Sequence, residues 1–199
     1  LGKLNVQTKR VWFVLHGYGQ LAEYFIRKFE VLDDGSTFIV APEALSRFYV
    51  NGDFNRVGAS WMTREARESE IDDYVAYLES VSKSIFQDYS PEDVQITVLG
   101  FSQGTATACR WLNRGQIRCD RLIFWGGYFA NGIFDLIEPD RMPLQNTHFV
   151  YGSRDEFLNR LDVPAYVEKL QAELTSLHVV EYAGGHSIEP GVLKERFVD

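Results

Sequence analysis

The chain has 199 residues, 45% of them apolar and 24% charged, which is enough to close a full hydrophobic core in one domain spanning residues 1–199. Its net charge of −8 argues against nucleic acid or an anionic membrane as the main partner. No apolar run reaches membrane-spanning length, so no integral membrane contact is expected, and no signal peptide is visible. The chain starts at Leu1, a start that a removed leader would also leave. Cys109 and Cys119 show no CxxC or Cys/His ligand spacing, so they read as free, buried or half-buried thiols rather than as a zinc site or a disulfide. That usage suits a reducing compartment, and a cytoplasmic protein is the expectation.

Along the chain, β-rich apolar runs alternate with segments of helical period. Leu4–Thr8 reads as an antiparallel edge strand and Val11–Leu15 as the first core strand. Leu21, Phe25, Ile26 and Phe29 then share one helical face, and Thr37–Ala41 follows as a strand. Residues 42–60 are the longest irregular stretch, rich in aromatics, Gly and Asn, a composition expected of a functional loop or a packed surface loop. A long amphipathic helix is predicted around Ile71, Tyr74, Val75, Leu78, Val81 and Ile85. Strands at Gln95–Leu99, Arg121–Trp125, Thr147–Tyr151 and Leu177–Tyr182 come next. They are separated by helical runs over residues 105–112 and after Pro164, with a terminal helix carrying Val192, Leu193 and Phe197. Runs that are apolar throughout imply a sheet covered on both faces. The alternating order therefore predicts an α/β fold with a mostly parallel sheet of about six or seven strands and helices on both sides. Residues 126–145 leave room for a short helix only, so no large lid is expected.

The chemistry-bearing residues lie at the ends of these strands. Gly100-Phe101-Ser102-Gln103-Gly104 matches G-x-S-x-G between a strand and a helix, the context in which a sharp turn lifts the serine hydroxyl above the sheet edge. Ser102 is the candidate nucleophile and needs a base. His148 and His178 fall inside strands, whereas His186 sits in a Gly-rich loop after the last one. Asp155, on the loop after Thr147–Tyr151, is the candidate acid, with Glu156 as competitor. The intervals 155 − 102 = 53 and 186 − 155 = 31 each leave room for β-α units. Two oxyanion donors are expected: the Gln103 amide and the Tyr18 amide in His16-Gly17-Tyr18-Gly19-Gln20. His16 precedes the nucleophile and reads as a residue that ties down this loop. Phe48, Tyr49, Phe54 and Trp61 are candidates to wall an apolar pocket, with core packing as the alternative for Trp61.

Taken together, VLHGYGQ, IVAPEALSRFY, SWMTREAR, VLGFSQGTA, YGSRDEF and GGHSI resemble the phospholipase/carboxylesterase family of α/β hydrolases, which includes the acyl-protein thioesterases. The resemblance runs from residue 14 to residue 187 and implies the α/β-hydrolase fold. It also implies a Ser102–Asp155–His186 triad, an oxyanion hole from the Tyr18 and Gln103 amides, and no cofactor or metal. Thr105 stands where the thioesterases carry a second glycine, and Glu156-Phe157 stands where they carry Val-Pro. These departures favour carboxylic esters of small or medium acyl chain, small-molecule substrates, over long-chain protein deacylation. The rival readings are an acyl-protein thioesterase or lysophospholipase, a catalytically silent binding module, and a lyase or cofactor-free perhydrolase on the same fold.

Overall fold

The computed structural model describes residues 1–198. Its sheet is built from β1 (Arg10–Leu15), β2 (Thr37–Val40), β5 (Gln95–Phe101), β6 (Arg121–Trp125), β7 (Thr147–Gly152) and β8 (His178–Tyr182), in the order β2-β1-β5-β6-β7-β8. Every neighbouring pair is parallel. The central strands are apolar along their whole length because both faces are covered. Five of the six residues of β1 and all five of β6 are buried.

Two apolar layers follow from the two faces. On one, α2 (Arg67–Ile85), α3 (Gln103–Arg114) and α4 (Val163–Glu173) cover Phe13, Val98, Phe124 and Phe149. On the other, α1 (Ala22–Phe25), a 3-10 turn over Ile26–Leu32 and α5 (Pro190–Phe197) cover Trp12, Val14, Ile123 and Trp125. Pro164 occupies the first turn of α4, where its missing N–H is harmless, and the Asp162 carboxylate caps that helix by accepting from the Ala165 N–H at 3.2 Å.

Two expected elements differ. Residues 4–8 form a turn rather than an edge strand. The Asn5 N–H donates to Thr8 Oγ1 (3.0 Å) and the Thr8 N–H to the Asn5 carbonyl (2.9 Å), so local side-chain bonding competes with pairing. The edge of β2 is met by Leu1, whose carbonyl accepts from the Ile39 N–H at 2.9 Å. Within the stretch read as irregular, β3 (Ser46–Tyr49) and β4 (Val57–Ser60) pair as an antiparallel hairpin. Alternation was masked there because the hairpin is exposed along β3 and buried along the end of β4. Among the described residues no helix is long and apolar enough to cross a membrane.

The strand order has a mechanical consequence. The chain leaves β1 toward β2 on one side, then returns to place β5 on the other side of β1. Loops after β1 and β5 therefore diverge to opposite faces and open a crevice at the carboxyl edge of the sheet.

Close backbone approach beside this crevice makes some glycines obligatory and leaves others free. A Cβ on Gly104 would lie 2.2 Å from the Leu15 carbonyl oxygen, whereas one on Gly191 meets nothing within 4 Å. Gly104→Ala is expected to lower stability by about 2–4 kcal/mol, and Gly191→Ala, within α5, to be neutral or stabilising by up to ~1 kcal/mol, both read by thermal denaturation. A second expectation concerns pH. His148 stacks on His178 with ring centroids 4.9 Å apart. Burial, His178 and Arg121 push the His148 pKa down to about 4. Unfolded histidine titrates near pH ~6.5, so between there and pH 4 the unfolded chain binds the extra proton. Stability should fall as the pH drops through that window, and His148→Gln should flatten the slope of melting temperature against pH. An unchanged slope would contradict the assignment.

Candidate active site

Ser102 sits between β5 and α3 with φ 53° and ψ −116°, a conformation that side chains seldom adopt. The surroundings hold it there. Its N–H donates to the Trp125 carbonyl at the end of β6 (2.9 Å), and its carbonyl accepts from the Thr105 hydroxyl (2.6 Å). The reversal is possible because nothing projects from Gly100 or Gly104: a Cβ on Gly100 would lie 2.3 Å from the Gly104 carbonyl oxygen. The Ser102 side chain is raised to the crevice at the carboxyl edge of the sheet, half-buried, with α3 starting at the next residue.

His186 and Asp155 arrive at the same edge from the loops after β8 and β7. His186 Nδ1 lies 2.6 Å from Asp155 Oδ2. The other carboxylate oxygen accepts from the Phe157 N–H (2.9 Å) and the Leu158 N–H (3.2 Å). Asp155 is only 1% exposed, so its charge is balanced by these donors rather than by water. Because an acceptor-only carboxylate faces Nδ1, that nitrogen is the donor of the pair and Nε2 is turned away from the carboxylate. Glu156 is exposed and makes no hydrogen bond to His186, which separates the two carboxylates offered by the sequence. The imidazole ring lies between Phe101 and Phe157, at centroid distances of 4.8 and 4.6 Å. Gly126 forms its floor, since a Cβ there would lie 3.1 Å from the ring. The His186 loop is fixed from below: Trp125 Nε1 and the Tyr182 hydroxyl both donate to the Ser187 carbonyl, at 2.9 and 2.5 Å.

The loop after β1 closes the remaining side. A Cβ on Gly17 would lie 3.1 Å from Ser102 Cβ, so backbone and serine are in close contact. The Gly17 N–H donates to Gln20 Oε1 (2.8 Å) and the Gly19 N–H to the Ala59 carbonyl (2.9 Å). Between them the Tyr18 N–H has no hydrogen-bond partner among the described residues. The Gln103 N–H is the first of α3 and has no intrahelical acceptor. The Gln103 side chain is fixed by the Trp61 N–H (3.1 Å) and by the Met62 carbonyl (2.9 Å). His16 is fully buried below this loop. Its Nε2 accepts from the Ala44 N–H (3.0 Å) and its Nδ1 bonds the Gly17 carbonyl (2.8 Å), and burial lowers its pKa, keeping it neutral.

A cavity of about 540 Å³ opens beside Ser102 and His186, bounded on its apolar side by Met62, Phe157, Leu158 and Leu161. The four aromatics expected to wall it do not do so. Phe48 packs on Tyr18 at 4.9 Å and Tyr49 on Phe54 at 5.2 Å, along the hairpin. Trp61 is core: it is 2% exposed, stacks on His16 at 5.1 Å, and donates through Nε1 to the His16 carbonyl at 2.8 Å. Phe48 and Tyr49 lie on the first strand of the hairpin and Phe54 in its turn, a placement that composition alone does not reveal. Conversely, Phe157 and Leu158 bond Asp155 through their backbone and line the cavity as well, a double role with no signal in the sequence.

The chain's fold is shared with solved α/β hydrolases of low identity. Zea mays acyl-protein thioesterase 2 superposes with a TM-score of 0.68 at 17% identity, over 98% of this chain and 93% of that one. SOBER1 of Arabidopsis thaliana gives 0.64 at 16% identity, over 94% and 95%. Esterase PE8 gives 0.63 at 18% identity, over 98% and 96%. No curated protein sequence matches the chain. At the level of family, the model described as serine hydrolase (FSH1) matches residues 6–190, so this α/β-hydrolase chain belongs to the serine hydrolase (FSH1) family.

Proposed function

We propose that the protein is a cofactor-free carboxylesterase-type hydrolase for esters of small or medium acyl chain, with Ser102 as nucleophile, His186 as base and Asp155 as the orienting acid. The observation that carries this reading is a backbone-strained Ser102 lining the same cavity as His186, whose Nδ1 lies 2.6 Å from the buried Asp155.

In this reading the Ser102 hydroxyl attacks the acyl carbonyl carbon while His186 Nε2 takes its proton. The carbonyl oxygen becomes an oxyanion and is met by the Tyr18 and Gln103 N–H groups, which need no reorganisation because protein acceptors do not occupy them. Collapse breaks the bond to the leaving oxygen or sulfur, which receives the proton from His186. Water then attacks the acyl-enzyme, giving its proton to His186, and the acid departs as Ser102 is regenerated. Asp155 holds the imidazole in the Nδ1–H tautomer and stabilises the imidazolium formed in each half-reaction. The cavity lies in the middle of the volume range of small-ligand sites, about 300–1,000 Å³, which supports small and medium acyl groups.

Three outcomes are expected. Ser102→Ala should lower kcat by about 10⁴-fold or more with an unchanged melting temperature. Asp155→Asn should lower it about 10³- to 10⁴-fold and Glu156→Gln less than about 3-fold. Near-normal turnover in Ser102→Ala, or the reverse order for the two acids, would contradict the assignment. Oxygen esters of up to about eight acyl carbons should be cleaved faster than a palmitoyl thioester; the opposite preference would move the reading to an acyl-protein thioesterase.

A further inference from the structure

The cavity beside Ser102 carries an electrostatic feature that ester hydrolysis alone does not require. Two arginines, Arg110 and Arg160, line it, and no Asp or Glu does. This occurs in a chain with 28 acidic and 20 basic residues, whose general field repels anions.

Arg110 is the unusual one. It is 9% exposed. Nη1 donates to Met62 Sδ at 3.4 Å and to the Tyr74 hydroxyl at 3.5 Å, both neutral and weakly held acceptors. Burial raises the Tyr74 pKa, so that hydroxyl does not supply a negative charge. Nε and Nη2 make no hydrogen bond to any described residue, and no carboxylate among the described residues lies within ion-pair distance. Arg114, one turn further along the same helix, marks the contrast: it is paired with Glu68 at 2.9 Å and Asp72 at 2.8 Å on the exposed face. The nearest carboxylate influence is Glu68, which acts on Arg110 through space while ion-paired to Arg114, so the donors that Arg110 turns to the cavity stay open to a further anion.

Its position explains what that anion would be. Gln103, Ala106 and Arg110 recur at helical spacing, and all three line the cavity from α3. Ser102 caps the same helix, so the Arg110 Cα lies about 12 Å along the axis from it at 1.5 Å per residue. Helical side chains lean back toward the N-terminus, which brings the guanidinium toward Ser102 across the small Ala106. A carbonyl on Ser102 and an anion on Arg110 are thus several bonds apart in one extended molecule.

Building on the hydrolase reading above, we propose that Arg110 is a specificity-determining residue that receives a carboxylate tethered to the scissile ester, so that the preferred substrates are acid half-esters rather than neutral ones. The planar fork of the guanidinium matches a carboxylate through two parallel N–H donors. Arg160, exposed at the rim with its guanidinium 5.8 Å from the Phe157 ring, adds positive potential where an anion would enter.

The test compares kcat/KM of the wild-type enzyme on mono-p-nitrophenyl adipate and p-nitrophenyl hexanoate, which differ by the terminal carboxylate. A second arm sets 4-(butanoyloxy)benzoate against phenyl butanoate, with the carboxylate on the leaving group. A preference of about 10- to 100-fold for the charged member in either arm is expected from charge-assisted hydrogen bonding, and the preferring arm assigns the anion to the acyl or the leaving side. Arg110→Gln should bring that ratio close to 1, and Arg110→Lys should restore part of it. Equal or lower rates on both charged esters, with the neutral esters cleaved, would overturn the role of Arg110 and leave the hydrolase reading standing. Because the ratio is read first on the wild-type enzyme, the outcome is decisive even where Arg110→Gln fails to fold. Failure to cleave any of the four esters would remove the hydrolase reading itself, and this inference with it.

Discussion

Everything at the candidate site depends on how closely the first turn of α3 approaches β1 and β5. The space allowed at residues 100 and 104 is so small that a Cβ on either would sit 2.2–2.3 Å from a backbone oxygen. That proximity forces the chain to reverse between strand and helix around Ser102, and the strain of its φ of 53° is the local consequence. The same reversal starts α3 beside the serine, so the helix amides and their partial positive charge come with it. Thr105 fits this arrangement because residue 127 is glycine: a Cβ there would lie 2.4 Å from Thr105 Oγ1.

A second constraint is the placement of charge. The protein is acidic overall, yet its carboxylate at the site is buried and neutralised locally by two backbone N–H donors and an imidazole. Asp155 therefore orients His186 without turning the cavity negative. The cavity itself takes its charge from arginines. This division places an imidazole held by a buried carboxylate beside a cavity lined by arginines, with α3 carrying Arg110 and starting directly after Ser102.

Much of this was legible in the residues. The central strands are visible as apolar runs, because a strand covered on both faces has few polar positions to interrupt it. Ser102, Asp155 and His186 stand out as candidates because each lies on the loop or turn after such a run, and the structure places His186 and Asp155 in hydrogen-bond contact. The choice between Asp155 and Glu156 rested on topology and side-chain reach, and burial of the former with exposure of the latter agrees with it. What escaped depends on pairing across the chain. The β3–β4 hairpin carries Phe48, Tyr49 and Phe54 away from the cavity, and that displacement follows from register, not from composition. Arg110 carries no signal in the sequence because a lone arginine in a helix normally faces water; the packed structure buries it with no carboxylate in an ion pair with it. The edge strand expected at residues 4–8 is replaced by a turn, since Asn5 and Thr8 satisfy one another locally.

The account rests on Ser102 being an activated nucleophile, and intact-protein and peptide mass spectrometry after exposure to a fluorophosphonate tests this most directly. One adduct per chain is expected, on the peptide containing Ser102, and none after the protein is unfolded before exposure. An adduct on another residue, or equal labelling of folded and unfolded chains, would contradict it.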